Sequence, residues 1–257
     1  MTWPAGYGRR VLAEVDSTNA EAVRIAPTLT GPEWILGLRQ TQGRGRRGRP
    51  WRDPGGNFAG TLVLRPEGPP GHVALLSFVA ALALHDACCA VTGRPQAFEL
   101  KWPNDVLLNG GKLAGILLES TGVGTGVAHL AIGIGVNLRE VPEAATVEPG
   151  ALRPVALMTE TGIAVTPEEC LDLLAAAFAT RKAQFDADGF APIREAWLAR
   201  AARLGEDVIA RTLRSTMEGR FETIDDTGNL VLVTAQGRMA IPAADIFFEG
   251  GTDASGD

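Results

Sequence analysis

A loop rich in arginine and glycine is the segment of this sequence best suited to bind an anion. Residues 40–52 carry five arginines and three glycines between two apolar, strand-length runs. Glycine lets a backbone approach a ligand closely, and guanidinium groups fork onto phosphate or carboxylate oxygens. A solvated basic loop and a nucleic-acid patch are the alternatives, but the net charge of −6 favours one concentrated anion. Because its arginines repel one another, the loop is expected to be mobile until an anion binds.

Two lysines stand on strand-like segments that are otherwise apolar. Lys101 precedes the turn sequence Pro-Asn-Asp at 103–105, and Lys112 begins a run that is apolar as far as Leu118. A lysine in such a place either extends its amine to solvent or meets an anion, and Pro-Asn-Asp by itself indicates only a turn. The tight turn Asn109-Gly110-Gly111 would bring the lysines near each other. With the arginine loop they outline a cationic pocket with apolar walls, suited to a ligand phosphorylated at one end and apolar at the other.

Two further segments can contact a ligand, although each also has a purely structural explanation. Gly133 and Gly135 interrupt the apolar strand at 127–138, where either a flat ligand or a closely packed helix would explain them. The sequence Asp-Ser-Thr-Asn at 16–19 caps a helix in either case. Its spare hydroxyl and amide groups can also bind a polar ring.

The elements that position these segments predict an α+β fold. Short strands follow one another with turns between them, which indicates a mixed, largely antiparallel sheet flanked by helices. Helices are expected at 16–26, with Thr18 and Glu21 spaced as a capping box, at 70–91, and from 167 onward. After Gly205 period-two patterns predict a small barrel that must pack on the larger domain to be stable.

Composition and cysteine usage narrow the functional classes. The cysteines Cys88, Cys89 and Cys170 have neither metal-ligand spacing nor an even number for disulfides, so a reducing cytoplasm is expected. Residues 1–10 lack the apolar core of a secretion signal, and the longest apolar stretch, 73–84, is shorter than the ~20 residues that span a bilayer. We therefore expect neither membrane nor nucleic-acid binding.

Taken in order, five segments resemble the catalytic domain of biotin protein ligases. They are Asp16-Ser17-Thr18-Asn19, Gln42-Gly43-Arg44-Gly45-Arg46-Arg47-Gly48, Lys101-Trp102-Pro103-Asn104-Asp105, Gly111-Lys112-Leu113-Ala114-Gly115-Ile116-Leu117 and Gly133-Ile134-Gly135-Val136-Asn137. The resemblance implies a class II synthetase-like catalytic domain over residues 1–203 and a small SH3-like C-terminal barrel over 204–249. Composition predicts a disordered tail at 250–257.

The resemblance also implies a role for each site residue. Biotin would be bound by Ser17, Thr18, Asn19, Gln40, Arg44, Gly45, Arg46, Lys112 and Gly115. The nucleotide would be bound by Arg44, Arg46, Trp51, Lys101, Asn104, Asp105 and Asn137. Lys112, Arg46 and Lys101 would be catalytic, and Asp105 would bind Mg²⁺.

The implied reaction forms biotinyl-5'-AMP from biotin and ATP, with Mg²⁺ as the accompanying ion. Biotin then passes to a lysine of the biotin carboxyl carrier protein of a biotin-dependent carboxylase. The enzyme is expected to be a monomer or homodimer. Because the chain begins at the first catalytic strand, no helix-turn-helix domain and no operator binding are expected. The sequence Gly56-Asn57-Phe58-Ala59 departs from the family pattern and would alter the floor of the pocket.

Two other readings compete with this one. A lipoate ligase or octanoyl transferase has the same fold, but the transferases use a cysteine, and the three cysteines here fall in helical patterns as filling residues. A non-catalytic biotin sensor or an RNA-binding module would use the arginine loop alone. A sensor has no need of Lys101 and Asp105, and an RNA-binding module requires aromatic platforms, for which only Trp51 is available near the arginines.

Overall fold

The structure is a computed structural model that describes residues 2–51, 54–122, 126–141, 152–212 and 215–248. The predicted tail at 250–257 lies outside the described residues, as does Arg52. Seven strands form the larger sheet: β1 Gly8–Leu12, β2 Glu33–Gly37, β3 Phe58–Leu64, β4 Phe98–Lys101, β5 Asp105–Leu108, β6 Gly111–Thr121 and β7 His129–Val136. Five strands form the smaller sheet: β8 Asp207–Arg211, β9 Thr216–Ile224, β10 Leu230–Thr234, β11 Gly237–Ile241 and β12 Asp245–Phe248.

The larger sheet is mixed and largely antiparallel, as predicted. Its strand order is β1-β2-β3-β7-β6-β5-β4, and the β1–β2 pair alone is parallel within it. The turn between β5 and β6 takes left-handed backbone angles at Asn109 (φ 50°) and Gly110 (φ 76°), as a type I′ hairpin requires. This hairpin sets the spacing between the predicted lysines.

Helices cover both faces of the larger sheet. They are α1 Thr18–Ile25, α2 Pro70–Ala74, α3 Leu76–Thr92, α4 Leu157–Thr161, α5 Pro167–Asp188 and α6 Phe190–Leu198. Helix α1 packs on Ile35, Val63 and Ala131, whereas the neighbouring Trp34 and Leu62 belong to the main core with α3 and α5. Because side chains alternate along a strand, α1 lies on the face opposite α3 and α5.

The predicted starts of α5 and α1 had different outcomes. Helix α5 begins at 167 as predicted, with a capping box in which Thr166 accepts from the Glu169 amide and Glu169 accepts from the Thr166 amide. The box predicted at Thr18 and Glu21 is wrong. Ser17 caps α1 by accepting from the amide of Ala20, and Glu21 is ion-paired with Arg24. The cap lies one residue earlier because Ser17 is the last residue with extended backbone angles.

Helices α2 and α3 form a longer apolar run than the sequence stretch at 73–84 suggested. Residues 70–92 are long and apolar enough to cross a membrane by length and composition, but 72% of the relevant window is buried inside the protein. Val79 and Leu82 are fully buried in the core that α3 shares with α5. This burial is that of a core helix.

The smaller sheet is antiparallel and packs on the larger domain, as expected. Its order is β11-β10-β9-β8-β12. Phe221 and Leu230 share a continuous core with Phe78 and Trp197, and Trp102 Nε1 donates to Gly228 O at 3.1 Å. The ring of Phe248, at the end of β12, lies 5.5 Å from the Lys101 amine, so β12 ends close to the end of β4.

Candidate ligand-binding cavity

A cavity of about 610 Å³ lies on the face of the larger sheet that α1 also covers. Strands β6 and β7 form its floor, and the start of α1, the arginine loop, the β4–β5 turn and strand β12 form its walls. All of the site residues predicted from sequence line it: Ser17, Thr18, Asn19, Gln40, Arg44, Gly45, Arg46, Trp51, Lys101, Asn104, Asp105, Lys112, Gly115 and Asn137. Segments far apart in sequence therefore converge on one cavity.

Glycines in the floor make room for protein side chains. A Cβ on Gly133 would collide with the side chain of Asn19, and a Cβ on Gly135 would lie 2.5 Å from the indole of Trp51. Gly135 pairs directly with Gly115 on β6, whose added Cβ would stand 3.5 Å from the same ring. Of the two explanations left open by the sequence, close packing by α1 therefore accounts for Gly133. Gly135 instead accommodates the tryptophan of the arginine loop.

One end of the cavity presents neutral polar groups. Gln40 Oε1 accepts from the backbone amide of Thr18 at 2.9 Å and from its hydroxyl at 3.2 Å. The Thr61 hydroxyl lies 2.8 Å from Thr18 Oγ1 and 2.7 Å from Asn19 Oδ1. Ser17, Thr18 and Asn19 are each almost fully buried. We call this group, Ser17 to Asn19 with Gln40, the polar end.

Glu119 lies beside the polar end, and the sequence analysis assigned it no role. Its carboxylate accepts from Asn19 Nδ2 at 2.7 Å and from Arg44 Nη2, which is 3.2 Å from both carboxylate oxygens. The available signal was strand period, because Glu119 lies in phase with Gly115 and Leu117 on the cavity face of β6.

The opposite end is cationic and is organised around Asp105. Lys112 Nζ lies 2.8 Å from Asp105 Oδ1, and Lys101 Nζ lies 4.0 Å from Asp105 Oδ2. The lysines therefore converge as predicted, through a carboxylate that both share. Only 11% of the Lys101 side chain is exposed, and this burial lowers the pKa of its amine, partly opposed by Asp105. We call Lys101, Lys112 and Arg46 the cationic end.

Arg46 connects the arginine loop to the cationic end. Its Nη1 is 3.4 Å from Asn104 Oδ1 and 3.4 Å from the carbonyl of Ala244, and Asn104 donates to Ile116 O on β6. Burial is the main cause that lowers the pKa of Arg46, and the nearby Asp245 partly opposes it. A half-buried guanidinium whose nearest partners lie at 3.4 Å or beyond is poised to bind an anion.

The arginine loop is a hairpin that contacts the smaller sheet. Trp51 N donates to Gly43 O at 2.9 Å, and Gly45 N donates to Arg49 O at 2.7 Å. Asp245, at the start of β12, accepts from Arg47 and, at 3.2 Å, from Arg49. Asp245 and Phe247 also line the cavity. The sequence reading missed both of these barrel residues.

Asn137 places an unpaired acceptor at the cavity. Its side chain is 2% exposed and its Nδ2 donates to Val155 O at 3.1 Å. Within the described ranges of the chain, its Oδ1 has no hydrogen-bond donor. A buried acceptor without a donor is costly, so a ligand N–H would be bound favourably here.

The cysteines are unsuited to nucleophilic catalysis. Burial raises the pKa of Cys170 to about 12 and raises that of Cys88 as well. Cys89 lies 3.6 Å from His85 Nδ1, yet burial raises its pKa too. These thiols stay protonated at neutral pH, and none lines the cavity.

The departure at 56–59 has little effect on the cavity lining. Phe58 is fully buried in the main core, and Asn57 accepts from the backbone amides of Arg139 and Glu140. Ala59 pairs with Gly135 on β7 and is 2% exposed. The segment therefore supports the floor from beside it, and none of these residues lines the cavity.

Two family models match the chain. The biotin/lipoate A/B protein ligase family matches residues 11–137, and the biotin protein ligase C-terminal domain matches residues 204–249. The chain is 61% identical over 240 residues to a biotin--[acetyl-CoA-carboxylase] ligase of Paracoccus denitrificans, covering 93% of this chain and 100% of that protein. It is 34% identical over 215 residues to the bifunctional ligase/repressor BirA of Bacillus subtilis, covering 82% of this chain and 65% of BirA.

A solved structure of a biotin protein ligase has a similar fold. A biotin protein ligase from Aquifex aeolicus, in complex with biotin and ATP, superposes with a TM-score of 0.80 at 26% identity. The match covers 93% of this chain and 97% of the Aquifex chain.

Proposed function

The chain belongs to the biotin protein ligase family, and from this premise we propose that it activates biotin with ATP and then transfers it to a carrier protein. In the first step a biotin carboxylate oxygen attacks the α-phosphorus of ATP, pyrophosphate leaves, and biotinyl-5'-AMP remains. In the second step the amine of a carrier lysine attacks the acyl carbon, and AMP leaves with the bridging oxygen.

The observation that carries this proposal is the difference between the two ends of the cavity. The polar end offers neutral donors and acceptors, and the cationic end gathers Lys101, Lys112 and Arg46. Leu117, Gly133 and Ile134 line the cavity as well. A ligand with a polar ring, an apolar chain and a carboxylate joined to a phosphate matches the polar end, the floor and the cationic end in that order.

At the polar end we assign the ureido ring to Ser17, Thr18, Asn19 and Gln40. A ureido ring has two N–H donors and one carbonyl acceptor, and hydroxyl and amide side chains can match both. Leaving either kind of group unpaired would cost about 1–3 kcal/mol. Gly115, with Gly45 of the arginine loop, lets the chain of biotin approach the backbone.

At the cationic end we assign catalysis to Lys112, Arg46 and Lys101. Attack by a carboxylate on a phosphate brings two anions together, and fixed cations stabilise the charge that develops on the phosphoryl oxygens. Asn104 and Asp105 complete the nucleotide side, with Trp51 offering a ring face. Arg44, although expected from the sequence to bind the nucleotide as well, is paired with Glu119, and we assign it to the ring of biotin. The unpaired Oδ1 of Asn137 would accept from an N–H of the nucleotide.

Magnesium enters this scheme with ATP. Within the described residues no group of three or more His, Cys, Asp or Glu side chains could hold a metal ion. Asp105, the predicted ligand, is paired with two lysines, so the residues present do not form a metal cage. Mg²⁺ commonly keeps several waters and binds substrate phosphates with one or two carboxylates. We therefore propose Asp105 chiefly as the counter-ion of the lysines.

The acceptor is proposed to be the biotin carboxyl carrier protein of a biotin-dependent carboxylase. This partner follows from the name of the Paracoccus relative, an acetyl-CoA-carboxylase ligase. A cytoplasmic location is consistent with three free thiols, of which Cys88 and Cys170 are buried. The proposed enzyme acts as a monomer or homodimer.

Pyrophosphate release tests the proposal. The purified chain is incubated with ATP and Mg²⁺, and biotin, lipoate or octanoate is offered separately. We expect release with biotin and not with the other two acids. Release with lipoate or octanoate alone would transfer the function to the rival ligase on the same fold. No release with any acid would indicate a binding protein without the chemistry.

A further inference from the structure

Glu119 is a carboxylate that accepts from a side chain of the polar end, and no role follows for it from the proposed reaction. It lies on β6 opposite Ala131, next to the Leu117–Gly133 pair over which Asn19 stands. Its side chain is 32% exposed and contacts both Asn19 and Arg44. We propose that Glu119 is a positioning residue that fixes Asn19 and Arg44 and thereby selects a cyclic urea as the ligand ring. This inference rests on the proposed function.

The chemistry of a carboxylate fixes the orientation of the Asn19 amide. An ionised carboxylate only accepts hydrogen bonds, so the NH₂ group of Asn19 must face Glu119, at 2.7 Å. Asn19 Oδ1 then faces the buried hydroxyl of Thr61 at 2.7 Å, and that hydroxyl donates to it. A flipped amide would place oxygen against the carboxylate and NH₂ against Thr61. Asn19 Nδ2 also donates to Leu117 O at 3.4 Å, and Glu119 with this carbonyl disfavours the flipped state.

The same hydrogen-bond chain continues to the other polar-end residues. The Thr18 hydroxyl lies 2.8 Å from Thr61 and donates to Gln40 Oε1 at 3.2 Å, and the Thr18 amide donates to the same oxygen. Gln40 therefore accepts at one end of the chain, as Glu119 does at the other. A ligand ring meets a fixed pattern of donors and acceptors, which is the condition for rejecting rings that lack matching groups.

Arg44 is held at the polar end by the same carboxylate. Its Nη2 is 3.2 Å from each oxygen of Glu119, whereas Lys112 and Arg46 are paired around Asp105 and Asn104. Glu119 lies four residues beyond Gly115 on β6, which corresponds to about 13 Å along a strand. The Arg44 side chain therefore assists ring binding, and its charge is neutralised where a neutral ring is bound.

The test compares Glu119→Gln with a matched variant. Glu222→Gln breaks another Glu–Arg ion pair, with Arg238 in the smaller sheet, at a similar exposure of 35%. Glutamine keeps the shape of Glu119 but adds an NH₂ donor, so the side chain at 119 restricts the orientation of the Asn19 amide less. We expect Glu119→Gln to raise KM for biotin about tenfold or more, a loss of about 1.4 kcal/mol. KM for ATP and kcat should stay within about twofold of the wild type.

Ligand analogues and a second variant separate positioning from folding. Desthiobiotin keeps the ureido ring and lacks the sulfur ring, so its KM should rise by the same factor as that of biotin. Arg44→Gln should also weaken biotin binding, and the double variant should lose less than the product of the two single losses, because the residues act as a unit. Glu222→Gln should behave as the wild type.

Several outcomes would overturn the inference. An unchanged KM for biotin in Glu119→Gln, an equal rise in KM for ATP, or fully additive losses would each contradict it. If the wild type itself released no pyrophosphate with biotin, the proposed function would fail instead. The two failures are therefore distinguishable.

Discussion

At the scale of single residues, two ammonium groups share one carboxylate. Asp105 holds Lys112 at 2.8 Å and Lys101 at 4.0 Å, leaving a net positive charge beside the cavity floor. Phe248 adds a ring face 5.5 Å from the Lys101 amine. Such fixed cations require little reorganisation when a phosphate arrives, which is the form of stabilisation that contributes most to phosphoryl transfer.

Replacing Lys112 with methionine tests this arrangement. Methionine keeps the unbranched shape and removes the charge, so biotin-dependent adenylation should fall by ~10²–10³. Thermal stability should change little, because the side chain is 35% exposed and Lys101 still faces Asp105. The control is Lys182→Met, which breaks a Lys–Asp pair on α5 outside the cavity. Wild-type adenylation by Lys112→Met would show that Lys112 is not catalytic.

Sequence reasoning found the lysines and missed their neighbours for a physical reason. The hairpin turn at Asn109-Gly110 fixes the distance between two short strands, so the approach of Lys101 and Lys112 follows from local sequence. Glu119 sits near the end of its strand, where a charged residue usually marks a solvated edge. Its partners Asn19 and Arg44 lie 100 and 75 residues away in sequence. Only the packing of α1 and the arginine loop on the sheet brings them together.

At the scale of elements, paired glycines let other segments lie directly on the sheet. Gly115 and Gly135 are opposite each other on β6 and β7, and Trp51 covers both. Gly133, two residues before Gly135, accommodates Asn19 from α1. The missing side chains of the sheet therefore determine how closely Trp51 and Asn19 approach the floor, and the cavity lies between these two residues.

Adding a methyl group at Gly135 tests this role. In Gly135→Ala the new Cβ would stand 2.5 Å from the Trp51 indole, so the ring must move away from the floor. We expect a loss of about 1–3 kcal/mol in stability from overpacking, together with a raised KM for ATP. Activity assays and thermal unfolding measure both.

The matched control is Gly71→Ala in α2, where nothing lies within 4 Å of an added Cβ. It should keep wild-type kinetics and stability at least equal to that of the wild type. An unchanged KM for ATP in Gly135→Ala would contradict the role given to Trp51.

The sequence left open whether a ligand or a packed helix explains Gly133 and Gly135, because the alternation of side chains along a strand does not say what covers it. A ligand and a packed side chain both require a missing Cβ. At the start of α1, Ser17 and Thr18 are both good capping residues. The backbone angles decide between them: Ser17 is extended, whereas Thr18, whose amide donates to the distant Gln40, is already helical.

At the scale of the whole molecule, the smaller sheet helps to close the cavity. Asp245 lies 198 residues after Arg47 and pairs with it and with Arg49, while Arg46 is 3.9 Å away. The sequence argument that the loop arginines repel one another did not include the counter-charges of Asp245 and Glu119. Both counter-ions lie far away in sequence, and together they give the loop one attachment at each end.

Asp245→Asn tests the attachment to the smaller sheet. Three arginines would lose their shared counter-charge, so amides of residues 43–51 should exchange hydrogen faster in the absence of ligands. KM for ATP should rise about fivefold, corresponding to about 1 kcal/mol for a partly exposed ion-pair cluster. Asp172→Asn, which breaks the surface pair with Arg9, is the control. Equal exchange in Asp245→Asn and the wild type would contradict a role for the smaller sheet in holding the loop.

The fate of the carboxylate oxygens of biotin tests the central claim most directly. Biotin with both carboxylate oxygens replaced by ¹⁸O is incubated with the enzyme, ATP, Mg²⁺ and the carrier protein. The mass of the AMP released is then measured by mass spectrometry. If the chain forms biotinyl-AMP and transfers biotin to an amine, each AMP must carry one ¹⁸O from the bridging oxygen. AMP without the label, formed at the same rate as biotinylated carrier, would contradict the acyl-adenylate mechanism.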